Sequence, residues 1–112
     1  MADEARGSAD VTTLYDLRVV VESIAGRSVC GLQVGDFFEL RNSSEIHLPP
    51  GRHFCLYALH SVIPLLPAKQ RTLPDGDWLE RDCHVTCPDP DERLVMRIDR
   101  IGRVALPTDD LT

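Results

Sequence analysis

Apolar and polar side chains alternate over residues 14–24, and this alternation constrains the fold more than any other feature of the chain. The apolar positions share one side of an extended backbone: Tyr15, Leu17, Val19 and Val21. A period of two is typical of a β-strand that buries one face. The next candidate strand, residues 37–41, follows a glycine-rich stretch that is too short for a crossover helix. We therefore predict that these two strands pair antiparallel.

The middle of the chain predicts one edge strand and one helix. Residues 45–48 are the candidate edge strand, and residues 52–66 are the candidate helix. Because apolar residues occupy nearly every side of that helix, we expect it to be buried. Pro64 and Pro67 should end or kink it near Ile63, since proline lacks an N–H donor and disfavours helix in the preceding residue.

The last part of the chain predicts a loop and two more strands. A loop over residues 70–77 leads to a strand over 78–87, a rigid turn over 88–91 and a final strand over 93–101. Strands, then one helix, then strands again indicate an α+β domain. We expect a small antiparallel sheet of four to five strands packed against one main helix.

Composition places a single folded domain between two tails. Residues 1–10 have no large apolar side chain after Met1, and both ends of the chain carry net negative charge. Such segments do not bury enough apolar surface to fold. We predict a disordered tail over residues 1–12, a domain over 13–103 and a flexible tail over 104–112.

Charge and hydropathy disfavour nucleic-acid and membrane partners. The chain has 12 Lys and Arg against 18 Asp and Glu, a net charge of −6, and its basic residues are scattered. A phosphate backbone is bound by clustered positive charge, which this chain does not offer. It also has no apolar run near the ~20 residues that cross a bilayer, and it does not begin like a secretory signal. We expect a cytoplasmic protein.

The four cysteines are expected to be free thiols, because disulfides are rare in a reducing compartment. Buried thiols, a metal site and a reactive nucleophile remain as alternatives. Cys83 and Cys87 would lie about 13 Å apart on one extended strand. Two thiolates on one zinc ion are no more than about 5 Å apart, so the spacing argues against zinc. No Gly-Lys-Ser/Thr phosphate loop is present either, and we predict neither metal nor cofactor.

His60, Cys87 and Asp89 are the candidate catalytic residues. Cys87 closes a strand, where a thiol is more accessible, and His60 on the helix could act as its base. Asp89, in the following turn, could act as an acid or base. Each also has a structural explanation, as a core histidine, a buried thiol and a turn aspartate. The candidate ligand contacts are Cys55, Tyr57 and Trp78.

Three motifs occur in the order typical of a family of short prokaryotic proteins known only as an uncharacterised repeat family. They are Val34-Gly35-Asp36 at a strand start, Cys55-x-x-Ala58-x-His60 on the helix, and Cys87-Pro88-Asp89-Pro90 in a turn. The chain resembles this family over residues 14–101. It departs from the pattern before Val34, where Leu32 stands in place of the family's His. The resemblance implies no activity, but it directs attention to Cys55, His60, Cys87 and Asp89.

Three hypotheses about function follow. The first is a small-molecule-binding accessory protein of a metabolic pathway, with its pocket between helix and sheet. The second is a small isomerase, lyase or cyclase that needs no metal or nucleotide and uses His60 with Cys87 or Asp89. The third is a structural homo-oligomer that assembles through an exposed strand edge.

Overall fold

The computed structural model describes residues 10–111, which form one antiparallel sheet covered on one face by helical turns. Within this range five strands pair in the order β3-β2-β1-β5-β4. The strands are β1 (Val11–Ile24), β2 (Phe37–Arg41), β3 (Glu45–His47), β4 (His84–Thr86) and β5 (Leu94–Pro107). The helices are α1 (Leu56–Val62), α2 (Leu66–Lys69) and α3 (Trp78–Arg81), with 3-10 turns at Ile63–Leu65 and Thr108–Leu111. The predicted α+β class is confirmed.

Strands β1 and β5 form the centre of the sheet and pair along almost their whole length. As the alternation predicts, Leu17, Val19 and Val21 are buried on one face of β1. The register with β5 shifts between Asp16 and Leu17, where Ile101 of β5 has no partner on β1. Leu14 is also buried, and Tyr15 is partly buried against the core. The predicted antiparallel pairing of β1 with β2 is also confirmed.

Both ends of the sheet extend into segments that were expected to be tails. Val11 and Thr12 begin β1, and residues 104–107 complete β5, where they pair with the start of β1. The remainder of the predicted N-terminal tail, apart from residue 10, lies outside the described residues.

The hydrophobic core lies between the sheet and the helical layer. Ala58, Val62 and Leu66 project from the helices onto the sheet. The sheet side of this core is formed by Leu17, Val19, Val21, Phe38, Leu40, Leu94, Met96 and Ile98. On the opposite face, ion pairs such as Arg18–Glu39 and Arg97–Glu22 cover the strands.

The main helix begins later than predicted, at Leu56; residues 52–55 are not helical, and Cys55 is extended. Arg52 Nη2 bonds both carboxylate oxygens of Asp36 at 2.7 Å, and the Phe54 ring meets Phe38 edge-on at 4.9 Å. These tertiary contacts anchor the segment beside the start of β2. At its other end α1 gives way to a 3-10 turn at Ile63–Leu65, as the prolines predict.

The expectation that this helix is buried on all sides is wrong. Leu56 and Tyr57 are each 68% exposed, and Ile63 is also exposed. One layer of helix over one sheet can bury only the helix face that meets the sheet. The remaining apolar side chains of α1 are left at the surface.

The strand predicted over residues 78–87 is also wrong in its first half. Trp78–Arg81 is helical, because the Asp77 carboxylate caps the turn by accepting the Leu79 N–H at 2.9 Å. Arg100 on β5 then binds Glu80 and lowers the pKa of that carboxyl to about 2. Only His84–Thr86 joins the sheet.

The two edge strands, β3 and β4, are each three residues long. Short edges offer little backbone for pairing with another chain. The homo-oligomer stays a prediction. None of the helices within residues 10–111 is long and apolar enough to cross a membrane.

The loop after β1 docks onto the turn before β5 through backbone hydrogen bonds. Gly26 N–H donates to the Glu92 carbonyl at 2.9 Å, and Arg27 N–H donates to the Asp91 carbonyl at 3.0 Å. A Cβ at Gly26 would lie only 1.9 Å from the Asp91 oxygen. Glycine at this position therefore permits the close approach of the two segments.

We expect Gly26→Ala to lower the free energy of unfolding by about 1–3 kcal/mol or more, because the methyl group forces the docked backbones apart. Gly76→Ala is the matched control, since a Cβ there meets no atom of the described residues within 4 Å. Its effect should stay within about 1 kcal/mol. Urea unfolding of both variants measures the difference. Equal stability of the two would contradict the close approach.

Candidate functional site

An open cavity of about 530 Å³ lies where the start of α1, the loop after β1 and the turn after β4 meet. Its apolar walls are Val29, Leu56, Tyr57 and Pro88. Its thiol-bearing and polar side chains are Cys30, His53, Cys55, Cys87, Asp89 and Glu92. The segment before α1 places His53 and Cys55 at the cavity while Phe54, between them, packs on the core.

Glu92 lies at the base of this cavity and is 1% exposed. Its Oε2 accepts hydrogen bonds from the Val29 N–H at 2.9 Å, the Cys30 N–H at 3.4 Å and the Cys30 thiol at 3.2 Å. Its Oε1 accepts from the Cys87 thiol at 3.5 Å. One carboxylate therefore joins the loop after β1 to the turn after β4.

The Glu92 carboxylate is held in its ionised form by neutral hydrogen-bond donors. Burial raises the pKa of Glu92, but the hydrogen bonds from Cys30, Val29 and Cys87 outweigh burial and hold this pKa below its ordinary value. No Lys, Arg or His within residues 10–111 forms an ion pair with it. Buried carboxylates are usually paired with a cation, so the negative charge here is exceptional.

The thiols around Glu92 are protonated at neutral pH. Burial, the hydrogen bond to Glu92 and the neighbouring Cys55 thiol raise the pKa of Cys30 to about 12. Burial and Glu92 also raise the pKa of the Cys87 thiol. Both thiols therefore act as hydrogen-bond donors to the carboxylate. Cys83, the remaining cysteine, is not part of the cavity lining.

Asp89 presents a hydrogen-bond acceptor at the cavity, and His53 is anchored there by a backbone carbonyl. Asp89 Oδ1 accepts the Asp91 N–H at 2.9 Å, while its Oδ2 has no hydrogen-bond partner in the described part of the chain. His53 Nε2 lies 2.9 Å from the Cys30 carbonyl oxygen. Because a carbonyl can only accept, Nε2 carries the hydrogen of this bond.

The structure brings together some of the residues predicted from the sequence and separates others. The cavity contains Cys55, Tyr57, Cys87 and Asp89. His60 is exposed on α1, outside the cavity lining, and among the described residues it makes no hydrogen bond to Cys87 or Asp89. Trp78 begins α3 and is not part of the lining. The partnership expected between His60 and Cys87 or Asp89 is therefore not formed.

Three of the thiol-bearing and polar cavity residues were not predicted: Cys30, His53 and Glu92. Cys30 was expected only to be a free thiol, and His53, beside the Pro49-Pro50-Gly51 turn, had no assigned role. Glu92 follows an Asp- and Pro-rich turn, where a glutamate is ordinarily solvated, and no local signal marks it as buried. Its burial depends on a loop that lies 63 positions away along the chain, at Val29.

Within residues 10–111, no three His, Cys, Asp or Glu side chains are arranged to hold one metal ion. Comparisons with protein-family models, with curated proteins and with solved structures give no match to the chain. The resemblance to the prokaryotic repeat family therefore stays a prediction.

We expect Glu92→Gln to be less stable than the wild type by about 1–3 kcal/mol at neutral pH. The amide oxygen is a poorer acceptor than the carboxylate, and the amide NH2 group would face the N–H and S–H groups that donate to Glu92. Since folding lowers the pKa of Glu92, ionised Glu92 stabilises the fold above the unfolded pKa. This contribution is lost as pH falls through the folded pKa. The difference in Tm between the two proteins should therefore narrow below about pH 4.

Thermal unfolding of Glu92→Gln and wild type across this pH range tests the assignment. Glu45→Gln is the control, because Glu45 is exposed and its effect should be small. A Tm difference for Glu92→Gln that does not change with pH would show that the carboxylate charge does not stabilise the fold.

We also expect Cys30 and Cys87 to resist alkylation in the folded protein, because alkylation requires the thiolate. Iodoacetamide treatment at mildly alkaline pH, followed by peptide mass spectrometry, measures modification of each cysteine. The same treatment in denaturant should modify all four cysteines. Modification of Cys30 at the same rate in folded and denatured protein would contradict the pKa and burial assigned to it.

Proposed function

We propose that this chain binds a small organic molecule in the cavity at the start of α1, as a non-catalytic accessory protein of a metabolic pathway. The observation that carries the proposal is the cavity itself, an open space of about 530 Å³ with apolar walls around a few fixed polar groups. Pockets for small molecules are typically about 300–1,000 Å³ and have this mixed lining.

Exposed apolar side chains at this cavity support the proposal. Leu56 and Tyr57 are each 68% exposed and Val29 is 52% exposed, and all three line the cavity. Large apolar groups clustered at the surface of a small protein usually mark a binding site. A ligand in the cavity would cover them.

The chemistry of the cavity favours binding over the predicted isomerase, lyase or cyclase activity. Covalent catalysis by cysteine requires a thiolate beside a base. Here the Cys87 pKa is raised by burial and by Glu92, and His60 is outside the cavity. The thiols instead hold the Glu92 carboxylate in place.

A neutral apolar fluorophore, N-phenyl-1-naphthylamine, should bind with increased fluorescence, because the cavity walls exclude water from an aromatic body. Leu56→Ala removes part of that wall and should weaken binding about five- to tenfold. Since Leu56 is largely exposed, the variant should fold normally.

Ile63→Ala is the matched control, because Ile63 is also an exposed apolar residue of the helical layer but does not line the cavity. It should leave the affinity unchanged. Absence of fluorophore binding by the wild type, or equal weakening by both substitutions, would contradict binding in this cavity.

A further inference from the structure

We propose that the ligand is an organic cation, with a protonated amine or amidine on an apolar body. This inference rests on the proposed function and concerns the same cavity. Two of the residues that line it are carboxylates, Asp89 and Glu92, and none is Lys or Arg. An apolar pocket with this charge distribution is complementary to an apolar molecule with one positive group.

Glu92 attracts the cation electrostatically, without contacting it directly. The carboxylate is almost completely buried, and its hydrogen-bond donors among residues 10–111 are neutral N–H and S–H groups. These donors leave its negative charge uncompensated within that range. Buried charges are screened less by water and salt than surface charges, so the negative potential extends into the cavity.

Asp89 is positioned to contact the cation directly. It is half-buried, it lines the cavity, and its Oδ2 has no hydrogen-bond partner among residues 10–111. The Cys30 and Cys87 thiol protons are already donated to Glu92. The lining thus offers a carboxylate acceptor, and an ammonium or amidinium group supplies only donors.

The nearest arginines along the chain are held by other partners. Arg52, next to His53, bonds both carboxylate oxygens of Asp36 at 2.7 Å. Arg93, next to Glu92, donates to the Ala25 carbonyl at 3.1 Å. Neither belongs to the cavity lining. The exposed Tyr57 ring lines the cavity, and a cation over its face would gain a favourable cation–π interaction.

Three probes that share a naphthalene ring but differ in charge test the inference: the cation 1-naphthylmethylammonium, the neutral alcohol 1-naphthalenemethanol and the anion 1-naphthaleneacetate. Titration calorimetry at neutral pH and low salt measures each affinity. We expect the protonated amine to bind at least about tenfold more tightly than the alcohol, and the carboxylate to bind most weakly. Added salt should reduce the preference for the amine.

Asp89→Asn should weaken amine binding about tenfold and leave alcohol binding unchanged, because it removes the charge but keeps the side chain's shape and an acceptor oxygen. Asp91→Asn is the matched control. It removes the same charge from the same turn, at a side chain outside the cavity lining, and should affect amine binding much less.

The outcomes separate the two proposals. Equal affinity for the amine and the alcohol, tighter binding of the carboxylate, or equal weakening by the Asp89 and Asp91 substitutions would overturn the organic-cation assignment and leave the proposed function standing. Binding of none of the three probes by the wild-type protein would overturn the proposed function as well.

Discussion

The hydrogen bonds to the buried Glu92 carboxylate organise the cavity end of this molecule. They join the Val29–Cys30 backbone to the turn that follows Cys87, two segments brought together only by the fold. The backbone bonds of Gly26 and Arg27 to the same turn reinforce this junction. Neutral donors hold the carboxylate ionised, so one interaction both fixes the shape of the cavity and gives it a negative charge.

The rest of the cavity follows from having only one helical layer. The helix can bury Ala58 and Val62 against the sheet, but Leu56 and Tyr57 remain at the surface. The segment before the helix, anchored by Arg52 and Phe54, contributes His53 and Cys55 to the same cavity. The apolar side chains of Leu56 and Tyr57 therefore line the same cavity as the negatively charged Glu92. This combination suits the proposed ligand, a molecule that is apolar at one end and positive at the other.

Local sequence patterns predicted the fold better than the site. Alternation predicted the buried face of β1, and proline chemistry predicted the break in the helix near Ile63. The helix start depended on the tertiary pair Arg52–Asp36, and α3 depended on the Asp77 cap, which lay at the end of a predicted loop. In the site, motifs singled out Cys55, Cys87 and Asp89. Glu92 was missed because no neighbour in sequence accounts for its burial.

Titration of the Glu92 carboxyl carbon, followed by carbon-13 NMR and assigned with the Glu92→Gln variant, tests most directly whether neutral donors hold this carboxylate ionised. We expect a midpoint below the ordinary value of 4.5, because these donors stabilise the charged form more than burial destabilises it. A midpoint above that value would mean that burial dominates. The carboxyl would then be easier to protonate than in water, and the cavity would lose the fixed charge on which the proposed recognition of an organic cation depends.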